Sequence, residues 1–243
     1  MPPDTPMVPD LGRADIVVCS LEPWGDVRRR IQLLVEELTK AHPEVRVLFV
    51  EPPLDVLHAL VHRRWNDLGH LLTRSHAKRA GSDRAGSDNS RVEVLRTTKW
   101  LPRFVGPFAD RSLVNQVRRA VRRAGMDGPI LWVNDAHYAR LVAQVDWPSL
   151  YDITDDWLQA SLAPRERRRL EAEEAVLFER CGAVVVCSPS LAQTRGRKRP
   201  VTLIPNAVDV ELFREPRPRP TDLGDGPIAM YVGTLHEDRL DVG

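Results

Sequence analysis

Short, uninterrupted apolar runs recur along this chain, separated by longer stretches with helical spacing. "ADIVVCS" (14–20), "VRVLFV" (45–50), "PILWVN" (129–134), "SLYDIT" (149–154), "GAVVVCS" (182–188) and "VTLIPN" (201–206) read as strands, and "RVEVLRTT" (91–98) alternates like one. A strand apolar on both sides must be covered on both faces. Parallel neighbours need a crossover of about a dozen residues or more, usually a helix. The pattern therefore predicts an α/β fold with a doubly wound parallel sheet. In such sheets ligands bind at the carboxyl ends of the strands. That rule directs attention to Ser20 to Gly25, Asn134 to His137, Asp155 to Trp157, Ser188, and Asn206 to Asp209.

The intervening segments carry a 3.6-residue period. "VRRRIQLLVEELTKAH" puts Ile31, Leu34, Val35 and Leu38 on one face. Residues 54–72 have an amphipathic helical pattern, and "EPP" is expected to stop the strand before them. "DRSLVNQVRRAVRRAG" (110–125) lines Leu113, Val114, Val117, Ala120, Val121 and Ala124 along one side and Arg118, Arg119, Arg122 and Arg123 along the other, with Gly125 suited to a C-terminal cap. A charged helix is expected over about 164–181, opening at Pro164, where a helix tolerates proline.

Two segments break the alternation. "RAGSDRAGSD" (79–88) is a small, polar tandem repeat and reads as a loop. "EPRPRPTDLGDGP" (215–227) is a linker by composition. "IAMYVG" (228–233) then begins another strand, which cannot bury itself alone. The organisation expected is a disordered 1–13, a domain over 14–214, the linker 215–227, and the start of a truncated second domain over 228–243.

Composition excludes several classes. The net charge of +1 predicts no nucleic-acid partner. Cys19, Cys181 and Cys187 are sparse and lack paired spacing, which argues against a disulfide framework or zinc site and for a cytoplasmic chain. The N-terminus is proline-rich and acidic with no apolar core, so no signal peptide is visible. No apolar run approaches the roughly 20 residues that span a bilayer.

The chemistry-bearing motifs are individually weak. No GxGxxG follows the first strand and no GxxxxGK[ST] occurs. His58 and His62 stand i, i+4 but lack the glutamate of HExxH and a third ligand. In "SLEPWGDVRRRIQ" a helix starts near Asp26, whose amides either face an anion or simply close an ordinary βα turn with Trp24 as cover. In "YDITDDW", Asp155 and Asp156 either cap a turn, contact a sugar or acceptor, or hold a metal; adjacent acids on an extended chain point apart, which disfavours the last. His137 reads either as a helix-start residue bonded to backbone or as a cleft residue. "IPNAVDVELF" (204–213) is a strand, a turn at Asn206, and a short helix capped at Asp209.

Taken in order, "VVVCSPSL", "VTLIPNAVDVELF" and "IAMYVGTL" resemble the junction between the two halves of a GT-B glycosyltransferase of the type-4-like, group 1 kind. "PWGDVRRRIQLLVEEL" with "VLFVEPP", and "YDITDDW", are similar to a teichuronic-acid-biosynthesis-like subset. Ala207 replaces the glycine common in "IPNGVD", and Thr234 stands where an arginine is usual, with Arg239 as a substitute.

The resemblance implies two Rossmann-like domains, the first binding acceptor and the second most of a nucleotide-sugar. It implies His137, Asp155 and Asp156 as catalytic residues. It implies Trp24, Gly25, Asp135, Trp157, Asn206 and Gly233 as donor- or acceptor-binding residues. It implies no metal and no cofactor, the nucleotide-sugar being a substrate. The acceptor is a cell-envelope glycan or lipid-linked glycan, and the enzyme a hexosyl-type transferase. The chain alone is expected to be inactive, because the acidic pair of the family lies in the second half. The arginine face Arg118, Arg119, Arg122 and Arg123 is either a solvated face or a peripheral contact with the inner face of a membrane. Rival readings are a non-catalytic glycan- or membrane-binding module and a GT-B-fold nucleotide-sugar epimerase.

Overall fold

A computed structural model describes residues 14–25, 27–56, 78–79, 91–100, 108–208, 210–216, 218–224 and 226–231. Asp26, His58, His62, most of 54–72 and of the repeat, Asp209, Gly233, Thr234 and Arg239 lie outside them. The chain divides into two units, residues 1–206 and 207–243.

The first unit is built on one sheet. Its strands are β1 (Asp15–Cys19), β2 (Arg46–Asp55), β3 (Lys78–Arg79), β4 (Val92–Lys99), β5 (Ile130–Val133), β6 (Ser149–Ile153), β7 (Ala183–Val186) and β8 (Thr202–Leu203). They lie in the order β3-β4-β2-β1-β5-β6-β7-β8. All neighbours pair in parallel except the edge pair β3 with β4. The chain winds outward from β1 through β2 to β4, then returns to the other side of β1 as β5. Strand order thus reverses between β1 and β5, the switch point of a doubly wound sheet.

The continuous apolar runs feed two layers because successive side chains point to opposite faces. On one face Val17, Leu48, Leu131, Tyr151 and Val184 meet α2 (Phe108–Arg123), α3 (Ala139–Val142), α4 (Pro164–Arg180) and α5 (Pro189–Arg195). On the other, Ile16, Val18, Val47 and Phe49 meet α1 (Arg30–Ala41) through Ile31 and Val35. Each such side chain contributes about 1.5–3 kcal/mol when fully buried.

The arginine-rich helix behaves as its spacing predicts. Leu113, Val114, Val117 and Val121 are buried, Arg119, Arg122 and Arg123 are exposed, and the chain turns at Gly125 with φ +61°. α4 opens with proline in its first turn, and α5 is capped by Ser188 Oγ, which accepts from Leu191 N at 3.2 Å.

Two expectations need correcting. β2 does not stop at "EPP" but runs to Asp55, pairing with β4 across a register shift between Glu51 and Leu54. Prolines cannot donate to a ladder, so Pro52 and Pro53 fall in the irregularity, and pairing with β4 resumes at Leu54. Residues 228–231 of "IAMYVG" form no strand. The second unit contains α6 (Val210–Arg214) and offers that segment no ladder partner among the described residues.

Candidate functional site

The carboxyl edge of the sheet is organised first by Asn134, which follows β5 and is buried. Its Oδ1 accepts from Leu21 N at 3.2 Å, and its Nδ2 donates to Asp152 O at 3.0 Å and Thr154 Oγ1 at 3.3 Å. One amide thus ties the exit of β1 to the exit of β6. The loop after β1 is held further by Glu51, only 3% exposed. Its Oε1 accepts from Trp24 N at 2.8 Å and its Oε2 from Arg96 Nε at 2.8 Å. Ser20 Oγ accepts from Glu22 N at 3.0 Å. The amides of Leu21, Glu22 and Trp24 are therefore already engaged, and an anion at this loop would find none of the three as a donor. Trp24 packs edge-on against Phe49 with Arg28 over its ring, each at 4.9 Å. Gly25 has no positive φ, and a Cβ there would meet nothing within 4 Å, so its backbone does not itself require glycine.

"YDITDDW" separates its acids by direction. Asp152, 1% exposed, lies against the α1 face. It accepts from Trp132 Nε1 at 3.2 Å and faces Arg30 Nη2 at 3.6 Å. Burial raises its carboxyl above the ordinary range, and Arg30 and Trp132 offset only part of that. Arg30 Nη1 also donates to Pro205 O at 3.1 Å and Asn206 Oδ1 at 3.3 Å, binding the segment after β8 to the first turn of α1. Asp155 is exposed, and Trp157 is 43% exposed. Asp156 turns the other way and pairs with Arg195 Nη2 at 2.7 Å; the same nitrogen lies 3.4 Å from Glu174 Oε1. The two adjacent acids diverge, and no cluster able to hold a metal ion occurs among the described residues.

His137 belongs to a third arrangement. Asp135, buried, caps the turn 136–138 by accepting from His137 N at 2.9 Å. The imidazole reaches away from the strand tips to α4, where its Nδ1 lies 2.7 Å from Glu173 Oε2. Glu173 Oε1 accepts from Arg169 Nε at 2.6 Å, and Arg169 Nη2 donates to both oxygens of Asp110 at 3.0 and 2.9 Å. Burial alone would raise the Glu173 carboxyl; hydrogen bonds and charge from His137 and Arg169 outweigh it and hold it below its ordinary value. These groups line an open groove of about 440 Å³ together with Ala139, Arg140, Ala143, Gln144, Ala172 and Val176.

The structure therefore does not join His137, Asp155 and Asp156 in one hydrogen-bonded constellation. It gathers Trp24, Asn134 and Asp135 near the switch point and pins Asn206 through Arg30. Arg30, Asp152, Glu173, Arg169, Glu174 and Arg195 were not singled out by motif. Of these only Arg169–Glu173 carried a local signal, an i, i+4 charge pair on a helix.

No family model matches the chain, and no curated protein matches it in sequence. Among solved structures the chain is similar to a UDP-glucose: anthocyanidin 3-O-glucosyltransferase in complex with UDP, with 13% identity and a TM-score of 0.44. The match covers 76% of this chain and 51% of that one, so the chain spans about half the length of the structure it matches. The sheet order defines the class: a Rossmann-like, doubly wound α/β fold. No helix among the described residues is long and apolar enough to cross a membrane.

Proposed function

We propose that this chain is the acceptor-side portion of a GT-B-type glycosyltransferase that moves a sugar from a nucleotide-sugar to a cell-envelope glycan or glycolipid. The observation that supports this reading is positional. The segments resembling that family follow strands of one parallel sheet, so their residues leave it at its carboxyl edge: Trp24 after β1, Asp135 and His137 after β5, Asp155 and Asp156 after β6, and Asn206 after β8, although the His137 and Asp156 side chains turn to Glu173 and Arg195.

The chemistry asks for such groups. An acceptor hydroxyl bonds to the anomeric carbon and loses its proton, while the nucleoside diphosphate leaves with the bonding pair. A carboxylate or an imidazole orients the hydroxyl and takes the proton. The leaving diphosphate needs amide or cationic donors. In this chain the loop after β1 has three amides already engaged. In this reading the bulk of the donor is held by residues beyond the described ones.

The test is a turnover assay. The 243-residue chain, and a longer product carrying any in-frame sequence found after it, are incubated with a panel of nucleotide-sugars, with and without glycan acceptors. Acceptor-dependent release of nucleoside diphosphate is expected, and the 243-residue chain alone is expected to give none. Donor isomerisation without acceptor would make the protein an epimerase. Saturable glycan binding with no turnover would make it a binding module.

A further inference from the structure

Arg30, the first residue of α1, divides its guanidinium between two partners. Nη1 donates to Pro205 O at 3.1 Å and Asn206 Oδ1 at 3.3 Å, on the exposed strap that leaves β8. Nε and Nη2 are buried and make no hydrogen bond among the described residues. Those two nitrogens form the edge of the guanidinium that a carboxylate takes bidentately. A carboxylate oxygen lies 3.6 Å from Nη2: Asp152 Oδ1, which is also buried and also without a hydrogen bond.

Buried donors and acceptors left unmade in this way are rare, because each loses its hydration without a replacement. A small movement would join this donor edge to this acceptor, since charged pairs of the kind close at about 2.7–2.9 Å. The same movement breaks something else. The guanidinium is planar and rigid, and its bonds to the strap already sit at or beyond the long end of the usual range of about 2.7–3.2 Å. Drawing Nη2 onto Asp152 pulls Nη1 off Pro205 and Asn206. The backbone of the turn is fixed by Gln32, whose Oε1 accepts from Arg29 N at 3.1 Å and whose Nε2 donates to Pro23 O at 2.8 Å. Only the side chain of Arg30 is left to move. The other oxygen of Asp152 accepts from Trp132 Nε1 at 3.2 Å. An opposite charge lowers the basicity of a carboxylate, so this indole hydrogen bond weakens as Arg30 approaches.

We propose that Arg30 is a two-position latch within the first unit: in one position it holds the strap 204–206, and in the other it closes on Asp152 and releases the strap. The device couples Trp132 on β5 to Asn206 past β8, through Asp152 and Arg30. The coupling is reciprocal: a change that weakens Asp152 as a partner holds the strap, and a pull on the strap drives Arg30 onto Asp152. The latch is independent of the transferase reading, since no substrate enters it.

The experiment is heteronuclear NMR of the 243-residue chain, with the Trp132 indole signal assigned through Trp132→Phe. Asn206 is exposed, so its substitution leaves the core untouched. Asn206→Ala removes one strap acceptor; Arg30 is expected to move toward Asp152 and the Trp132 indole proton to shift upfield. Asn206→Asp offers the strap a charge-assisted acceptor; the same proton is expected to shift downfield, along the same line. Ile204 N, which donates to Val186 O at 2.9 Å, closes the last ladder bond before the strap. Its exchange with solvent is expected to quicken in Asn206→Ala and slow in Asn206→Asp, each by roughly fivefold, the scale of one hydrogen bond. Arg30→Met is expected to abolish the indole response to both substitutions. An indole signal that ignores both Asn206 variants would overturn the latch, and Arg30 as a fixed clamp predicts that result. Shifts in the same direction, or shifts of undiminished size in Arg30→Met, would overturn it too. The Asn206 pair decides even where Arg30→Met does not fold.

Discussion

Glu173 and Glu174 are neighbours on α4, yet the fold treats them oppositely. Glu174 is 2% exposed, reaches Arg195 only at 3.4 Å, and leaves its second oxygen without a hydrogen bond. Burial pushes its carboxyl up, and Arg195 and Lys198 offset only part of that. Glu173 stands at the groove wall with two short partners and ends below its ordinary value. The difference teaches that a buried acid whose nearest cation stands 3.4 Å away is a structural strut, whereas a largely covered acid with two close donors is poised to hold another group in place. Arg195 connects the strut to the strand tips, because it also takes Asp156 at 2.7 Å.

The largest expected effect breaks the strut. Arg195→Met strands a buried carboxylate, and removing one partner of a buried pair costs about 3–5 kcal/mol. Urea denaturation should show that loss. Adding Glu174→Met should recover most of it, because an apolar pair of similar volume is often as stable as the ion pair. Failure of the double variant to recover would mean that Asp156, not Glu174, is the partner that matters.

A smaller effect comes from Arg30→Ala. It removes the two hydrogen bonds to Pro205 and Asn206 and leaves Asp152 without its cation. Asp152 keeps the hydrogen bond from Trp132 Nε1, so the loss should stay near about 2 kcal/mol. Faster amide exchange at residues 204–206 is the accompanying signature.

The comparison itself is sharpened by pH. The lowered carboxyl of Glu173 contributes stability that is present above the ordinary glutamate value of 4.5 and is lost as pH falls through its own lower value. Glu174 has the opposite sign: its stabilisation is full below 4.5 and is lost as pH rises through its raised value. The stability deficit of Glu173→Gln should therefore shrink toward acid, from about 1–2 kcal/mol at neutral pH. That of Glu174→Gln should shrink, or reverse, toward neutral pH. Parallel slopes for the two variants would erase the distinction. Gly25→Ala is the smallest case, expected within about 0.5 kcal/mol because no φ or close neighbour demands glycine there.

The strands were legible because Val17, Val18, Leu48, Leu131 and Val184 sit in runs with no polar interruption. The passage of β2 through Pro52 and Pro53 was not, since a proline pair normally ends a ladder and only pairing with β4 carries the strand on. In the candidate site, Asp135 as a cap and the divergence of Asp155 from Asp156 follow from local backbone geometry. The inward turn of Asp152 was available in the alternation with Tyr151 and Ile153, both buried on the opposite face. Glu173 with His137, and Arg195 with Asp156, are separated by 36 and 39 residues. Such partners depend on how α4 and α5 seat on the sheet, which no single-segment pattern encodes.

Arg30 grips the carbonyl of Pro205 from 175 positions away in the chain. Tension applied beyond Asn206 therefore loads the opening turn of α1 as well as β8, a strand of only two residues. The exit of the sheet is anchored like a rope made fast to a post beside the frame, with the arginine side chain as the knot.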